Sequence, residues 1–142
     1  MVAELRLLDI GLFINNVGTS DAKLYHNYSY EQIVETLNIN CVGMATLCAE
    51  ILGLMRRRSH KSALINLSSY MEEKALPYLS LYAATKAFNK NLTEGLSYEY
   101  PEIDILCLKP MFVETPLSRQ KKGFTIPDRR ECAADSLQEL FW

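Results

Sequence analysis

Three short apolar runs, each ended by polar or turn residues, alternate with longer stretches of helical periodicity in the 142-residue sequence. This alternation limits the fold more than any other feature. Residues 8–15, Leu-Asp-Ile-Gly-Leu-Phe-Ile-Asn, stop at Asn15-Asn16 and the turn residue Gly18. Residues 63–67, Ala-Leu-Ile-Asn-Leu, stop at Ser68-Ser69, and residues 103–108 stop at Lys109-Pro110. Short runs that are apolar on both faces suit the buried strands of a parallel sheet. Between the first two, Ile33, Leu37, Cys41, Met44, Cys48, Ile51 and Met55 recur at three and four residues. They predict one amphipathic helix from Tyr30 to about Arg58, with Ser29 and Gln32 as a capping box. Leu81, Ala84, Phe88, Leu92 and Leu96 predict a second helix, stopped before Pro101 because the residue preceding a proline disfavours the α region. Pro127 suits the first turn of a terminal helix running to the chain end. The order β-α-β-α-β-α, with a helix in every crossover, implies an α/β domain with a parallel sheet and right-handed connections.

Composition removes several function classes. An apolar share of 49% with 23% charged residues is that of a folded domain, and 142 residues suffice for one core. A net charge of −2 gives no electrostatic basis for nucleic-acid binding. The basic cluster Arg56-Arg57-Arg58 with Lys61 reads as a solvated helix C-terminus. Cys41, Cys48, Cys107 and Cys132 contain no Cys-x-x-Cys pair, and with His26 and His60 they form no zinc-ligand spacing. Cys41 and Cys48 stand about 10 Å apart along one helix, too far for a disulfide, so free thiols in a reducing compartment are expected. No uninterrupted apolar run reaches the roughly 20 residues of a bilayer span. The first residues lack a signal-peptide core, so the chain by itself is expected in the cytoplasm.

Strand direction brings the chemistry together. An α/β sheet binds ligands beyond the carboxyl ends of its strands, where Asn15-Asn16, Ser68-Ser69 and Thr115 would gather. Tyr82 and Lys86 are four apart on a helix and share a face. A phenol has an ordinary pKa near 10, and an adjacent ammonium favours phenolate, which equips Tyr82 to exchange a proton with a carbonyl or alcohol oxygen. Ser69 lies 13 residues before Tyr82, and Asn40 lies 29 before Ser69 at the edge of the first helix's apolar stripe. An asparagine inside a helix is mildly unfavourable, and a specific buried hydrogen bond would explain it.

Four ordered segments carry a resemblance. Asn15-Asn16-Val17-Gly18, Asn40-Cys41-Val42-Gly43, Ile65-Asn66-Leu67-Ser68-Ser69 and Tyr82-Ala83-Ala84-Thr85-Lys86-Ala87 resemble, in order and spacing, the short-chain dehydrogenase/reductase superfamily from about Leu8 to Thr115. Leu8-Asp9-Ile10-Gly11 and Pro110-Met111-Phe112-Val113-Glu114-Thr115 are similar to the branch of 17β-hydroxysteroid dehydrogenases types 3 and 12 and very-long-chain 3-oxoacyl-CoA reductases. The resemblance implies the second, catalytic half of a Rossmann-like doubly wound parallel sheet, as one partial domain over residues 1–142. It implies NADPH-dependent reduction of a lipid-like ketone, an acyl-CoA or a steroid, at the endoplasmic reticulum, with NAD also open as cofactor. By the same resemblance Tyr82 is the general acid, Lys86 lowers its pKa and holds the nicotinamide ribose, Ser69 orients the carbonyl, and Asn40 holds a water behind Lys86. Asn15 and Gly18 would underlie the adenosine side of the cofactor, and Val113 and Thr115 would meet the nicotinamide amide. The helices of Asn40 and Tyr82 would form a homodimer interface.

The sequence also departs from the family pattern. Gly11, Gly18, Gly43, Gly53, Gly95 and Gly123 form no Gly-rich phosphate loop. The first strand matches the family's fourth, so the chain is expected to be a truncated form that by itself does not turn over NADPH and a ketone. A remnant that acts only by subunit pairing is the second reading, and quenching of Trp142 or the tyrosines by NADPH separates the two. A hydrolase is set aside because Ser69 has no Gly-x-Ser-x-Gly elbow. Met71-Glu72-Glu73-Lys74 is more charged than the small residues the family carries after Ser-Ser. Specificity would lie in residues 70–80 and 116–127.

Overall fold

The computed structural model describes residues 2–115, 117–118 and 121–138. Three parallel strands form a sheet in the order β1 (Leu12–Asn15), β2 (Ala63–Leu67), β3 (Asp104–Leu108). Asn15 pairs with Asn66, and Asn66 with Cys107, so the carboxyl ends of the strands lie level. A short helix α1 (Val2–Leu5) precedes β1, and β1 begins four residues later than the apolar run suggested. The intervening Asp9 is held by Arg58 at 2.5 Å, and Arg58 also donates to Lys61 O and Ser62 Oγ, both at 2.9 Å. This side chain ties the approach to β1 to the approach to β2, just before Gly11 O accepts from Ala63 N at 2.9 Å at the start of the ladder.

The first crossover is one continuous helix over Tyr30–Met55, opened by the expected capping box of Ser29 and Gln32. It comprises α2 (Tyr30–Leu37), a π-turn at Asn38–Val42, and α3 (Gly43–Met55). The amide of Gly43 donates to Asn38 O, and a Cβ on Gly43 would stand 3.2 Å from that same oxygen. Glycine therefore suits the wider turn. The additional residue in the turn rotates both Asn40 and Cys41 inward, where both are buried. By length and apolar character this helix is long enough to cross a membrane, which the interrupted apolar runs of the sequence concealed. Met44, Cys48, Ile51, Leu52 and Met55 on it pack with Leu64 and Ile103 in the core, as in the core helix of a globular domain.

The second crossover is α4 (Ser80–Glu99). Leu92 and Leu96 join the same core cluster as Phe13 and Ile105, so α3 and α4 cover one face of the sheet. Helices on a single face are what sequential strands β1-β2-β3 require in one half of a doubly wound sheet. The stripe expected on α4 is only partly buried. Leu81 is inside, but Ala84 and Phe88 face out, and the buried positions are Leu81, Ala83, Thr85, Lys86, Asn89 and Thr93. Mid-helix, α4 turns a polar face to the sheet. The last helix, α5 (Arg129–Gln138), starts two residues after Pro127, with the Asp128 carboxylate accepting from Arg130 N and Glu131 N. The expected run to the chain end lies outside the described residues beyond Gln138, as does Trp142.

Candidate active site

The polar face of α4 meets the level ends of the strands. Asn15 donates to Asn66 Oδ1 at 2.8 Å, Asn66 donates to Thr93 Oγ1 at 3.0 Å, and the Thr93 hydroxyl donates to Asn89 O at 2.6 Å. Asn15, Asn66, Asn89 and Thr93 are all buried. A buried amide left unpaired costs about 1–3 kcal/mol, so polar residues on β1, β2 and α4 must align with one another. The chain of bonds fixes α4 in its rotation about its own axis. Asn15, expected beneath a cofactor, is bonded within this interior network.

Asn40, delivered inward by the π-turn, makes three bonds. Its amide donates to Thr19 O at 2.9 Å and Thr85 Oγ1 at 3.0 Å, and its Oδ1 accepts from Thr19 N at 2.8 Å. Both amide hydrogens are thus engaged by protein, and the side chain ties the 18–19 loop to α4 one residue before Lys86. Gly18 follows from the same geometry. A Cβ at Gly18 would stand 3.5 Å from Asn40 Oδ1 and 3.6 Å from Lys86 Nζ, so the loop backbone passes directly beside the lysine.

Lys86 is only 4% exposed, and its Nζ donates to Leu67 O at 2.9 Å. Burial holds its pKa below the ordinary lysine value, with the Cys41 and Cys107 thiols opposing that shift. The Lys86 ammonium lies 5.6 Å from the centroid of the Tyr82 ring. Ser69 stands beside Tyr82, close enough to act on its phenol. Burial raises the Tyr82 pKa, and the neighbouring Ser69 hydroxyl opposes this. Lys86 has no part in this shift: its ammonium is aimed at the Leu67 carbonyl, and the water lost by the phenol sets the direction.

Ser69 is buried, caps a short turn at Tyr70–Glu72 and accepts from Met71 N at 3.3 Å. Ser69, Tyr82, Lys86, Asn40 and Gly18 are thus gathered at the ends of β1 and β2. Val113 and Thr115 are engaged locally instead. Ser118 Oγ donates to Val113 O at 2.5 Å, and Ser118 N donates to Thr115 Oγ1 at 3.2 Å. No described hydrogen bond joins either to Tyr82 or Lys86. The supporting residues Thr85, Asn66, Asn89 and Thr93 escaped the sequence reading. The signal for them was available, in polar residues at positions 85, 86, 89 and 93 that share one helical face.

A phenol with a serine hydroxyl beside it and a buried lysine one turn on is suited to proton exchange with a substrate oxygen. The matching family model, "short chain dehydrogenase", spans residues 2–124, and the chain belongs to that family. Its relatives place it more narrowly. It is 32% identical over 123 residues to 17-beta-hydroxysteroid dehydrogenase type 3 of Danio rerio, covering 81% of this chain and 39% of that protein. It is 33% identical over 128 residues to very-long-chain 3-oxoacyl-CoA reductase-B of Danio rerio, again covering 81% of this chain and 39% of the relative. The chain thus spans about two fifths of the length of these relatives. Among solved structures, a gluconate 5-dehydrogenase from Burkholderia cenocepacia, in complex with NADP and tartrate, superposes with a TM-score of 0.76 at 25% identity, over 83% of this chain and 48% of that one. An alcohol dehydrogenase from Thermococcus sibiricus, 20% identical, shares the fold with a TM-score of 0.85 over 99% of this chain and 62% of that one.

Proposed function

We propose that this chain supplies the catalytic half of an NADPH-dependent reductase that converts the ketone of a 3-oxoacyl-CoA or a 17-ketosteroid to an alcohol. Ser69 beside the Tyr82 phenol, with buried Lys86 against the same ring, carries this reading. Ser69, Tyr82 and Lys86 suit the nicotinamide end of a cofactor, and Gly18, whose backbone passes beside Lys86, is assigned to its adenosine side. Bound NADPH would supply hydride to the carbonyl carbon. Tyr82 donates its phenolic proton to the carbonyl oxygen, and its raised pKa keeps that proton in place at neutral pH. The Ser69 hydroxyl donates a hydrogen bond that polarises the same oxygen. Lys86 holds the ribose hydroxyls and stabilises the phenolate left after proton transfer. Asn40 keeps the Gly18–Thr19 backbone and Thr85 in place around that lysine. Asn15 supports the site from the interior, and Val113 and Thr115 are assigned to the nicotinamide amide.

The names of the relatives, reductases of 3-oxoacyl-CoA and a hydroxysteroid dehydrogenase, support a lipid-like ketone, and an endoplasmic-reticulum location is part of the same proposal. Outward-facing Phe88 and Val42, both exposed, support a homodimer through the helices of Tyr82 and Asn40. The phosphate-binding loop is nowhere in these 142 residues. Its backbone donors to charged oxygens contribute about 1.5–3 kcal/mol each, so the isolated chain is expected to bind NADPH too weakly for measurable turnover. The test joins the chain to the cofactor-binding half of a very-long-chain 3-oxoacyl-CoA reductase and follows nicotinamide absorbance with a 3-oxoacyl-CoA, with NADH as a second arm. Turnover abolished by Tyr82→Phe is expected. A folded, NADPH-binding fusion without turnover would refute the proposal.

A further inference from the structure

The charged stretch after Ser69 holds a buried carboxylate for which the proton-transfer chemistry has no use. The side chain of Glu72 is 0% exposed. One of its oxygens accepts from the Ser68 hydroxyl, and the other meets Lys109 Nζ at 2.8 Å. Lys109 sits at the end of β3, where Glu73 also approaches it, at 3.5 Å. The main chain is fastened on both sides of this pair. Ser68 N donates to Leu108 O at 2.8 Å and Tyr70 N to Pro110 O at 3.1 Å. Ser69 lies between the two fastened residues, and Glu72 N closes the turn on Ser69 O at 3.0 Å. The Ser68 hydroxyl also lies 2.8 Å from Lys86 O, so the same cluster reaches α4.

A carboxylate is buried only where a cation and hydrogen bonds compensate for lost water. Here both compensating groups border Ser69, one on each strand end. We propose that Glu72 is a positioning residue, and that its ion pair with Lys109 clamps the Ser69 turn to the end of β3 so that the Ser69 hydroxyl meets Tyr82. The inference rests on the reading of Ser69 and Tyr82 as the reacting pair, but the clamp can be tested without turnover. Glu73 touches the same lysine from an exposed position and serves as the control.

The experiment uses the 142-residue chain with ring-labelled tyrosine and reads the Tyr82 phenolic carbon resonance at neutral pH. That resonance is assigned by its disappearance in Tyr82→Phe. Lys109→Met strands the carboxylate and is expected to displace the Tyr82 resonance. Lys109→Arg keeps the pair and is expected to leave the resonance near its original position, whereas Glu72→Gln/Lys109→Met removes the pair without stranding a charge and is expected to displace it. Glu73→Gln is expected to leave it unchanged. Should Lys109→Met not fold, Glu72→Leu, which removes the carboxylate and its bond to Ser68, is expected to displace the resonance in its place. A Tyr82 resonance unmoved in Lys109→Met and Glu72→Leu overturns the proposal, and so does a displacement that Glu72→Gln/Lys109→Met reverses, which would lay it to the stranded charge and not to a lost clamp. In the fusion enzyme, Lys109→Met should lower kcat by about tenfold with KM for NADPH little changed, as expected for lost orientation rather than lost binding. If the fusion proves inactive while the resonance behaves as expected, the clamp stands and only the catalytic reading fails.

Discussion

Tyr82 and Lys86 have been moved in opposite directions by the same burial, and this gives them opposite linkage to folding. Tyr82 keeps its proton to higher pH in the fold than its ordinary 10.0. Stability is therefore fully present below 10 and falls as pH rises through the folded value. Lys86 loses its proton below its ordinary 10.5, so its contribution makes stability rise with pH up to 10.5. In urea titrations between about pH 9 and 11, Tyr82→Phe should flatten the alkaline loss of stability and Lys86→Met should steepen it. Equal slopes in all three proteins would show that neither group is shifted. Tyr78 makes a separate contribution. Its φ of 70° is in the left-handed region, and its carbonyl accepts from Lys23 N at 3.0 Å. Tyr78→Gly relieves a side chain there and should raise stability by about 1 kcal/mol, read as a higher urea midpoint.

At the scale of elements, the register of the sheet and the rotation of α4 are locked by one run of amides and hydroxyls. Asn66 is its centre, bonded to Asn15 on β1 and Thr93 on α4. Asn66→Ala should cost about 2–4 kcal/mol, because it removes two buried hydrogen bonds and leaves a gap where the amide stood. Chemical denaturation measures this directly, and a loss below about 1 kcal/mol would show that the network is not a tie. The paired capping of α2, the strand positions and the extent of α4 were legible from local periodicity. The π-turn was not, since nothing in a 3.6-residue pattern marks an additional residue, and neither was the polar inner face of α4. Periodicity assumes that buried means apolar, and Lys86, Asn89 and Thr93 are buried because the strand ends offer them carbonyls and amides.

For the molecule as a whole, β1 is an edge, with no partner strand on its outer side among the described residues. Leu12 and Ile14 are 44% and 45% exposed, and they alternate with Phe13 and Asn15, which face the helices. An unpaired strand with exposed apolar side chains favours self-association. Leu12→Lys with Ile14→Lys should reduce concentration-dependent association of the isolated chain, followed by light scattering, while the helix-side core is retained. Scattering that does not change would place the association elsewhere, with the outward faces of Phe88 and Val42 as the next surface to alter.

The sequence by itself determined the α/β order, the three parallel strands, the family and the presence of Asn40, Ser69, Tyr82 and Lys86, because each rests on spacing along one element or on an ordered motif. Only the tertiary structure decided how those residues are used. The direction of the Tyr82 shift depends on lost water, the partners of Asn40 depend on a loop 21 residues away, and Glu72 meets Lys109 across two strands. Pairings of that kind join residues that are distant in sequence. Desolvation and charge act through space, and their sign is set only when the strand ends and α4 close around the same few atoms.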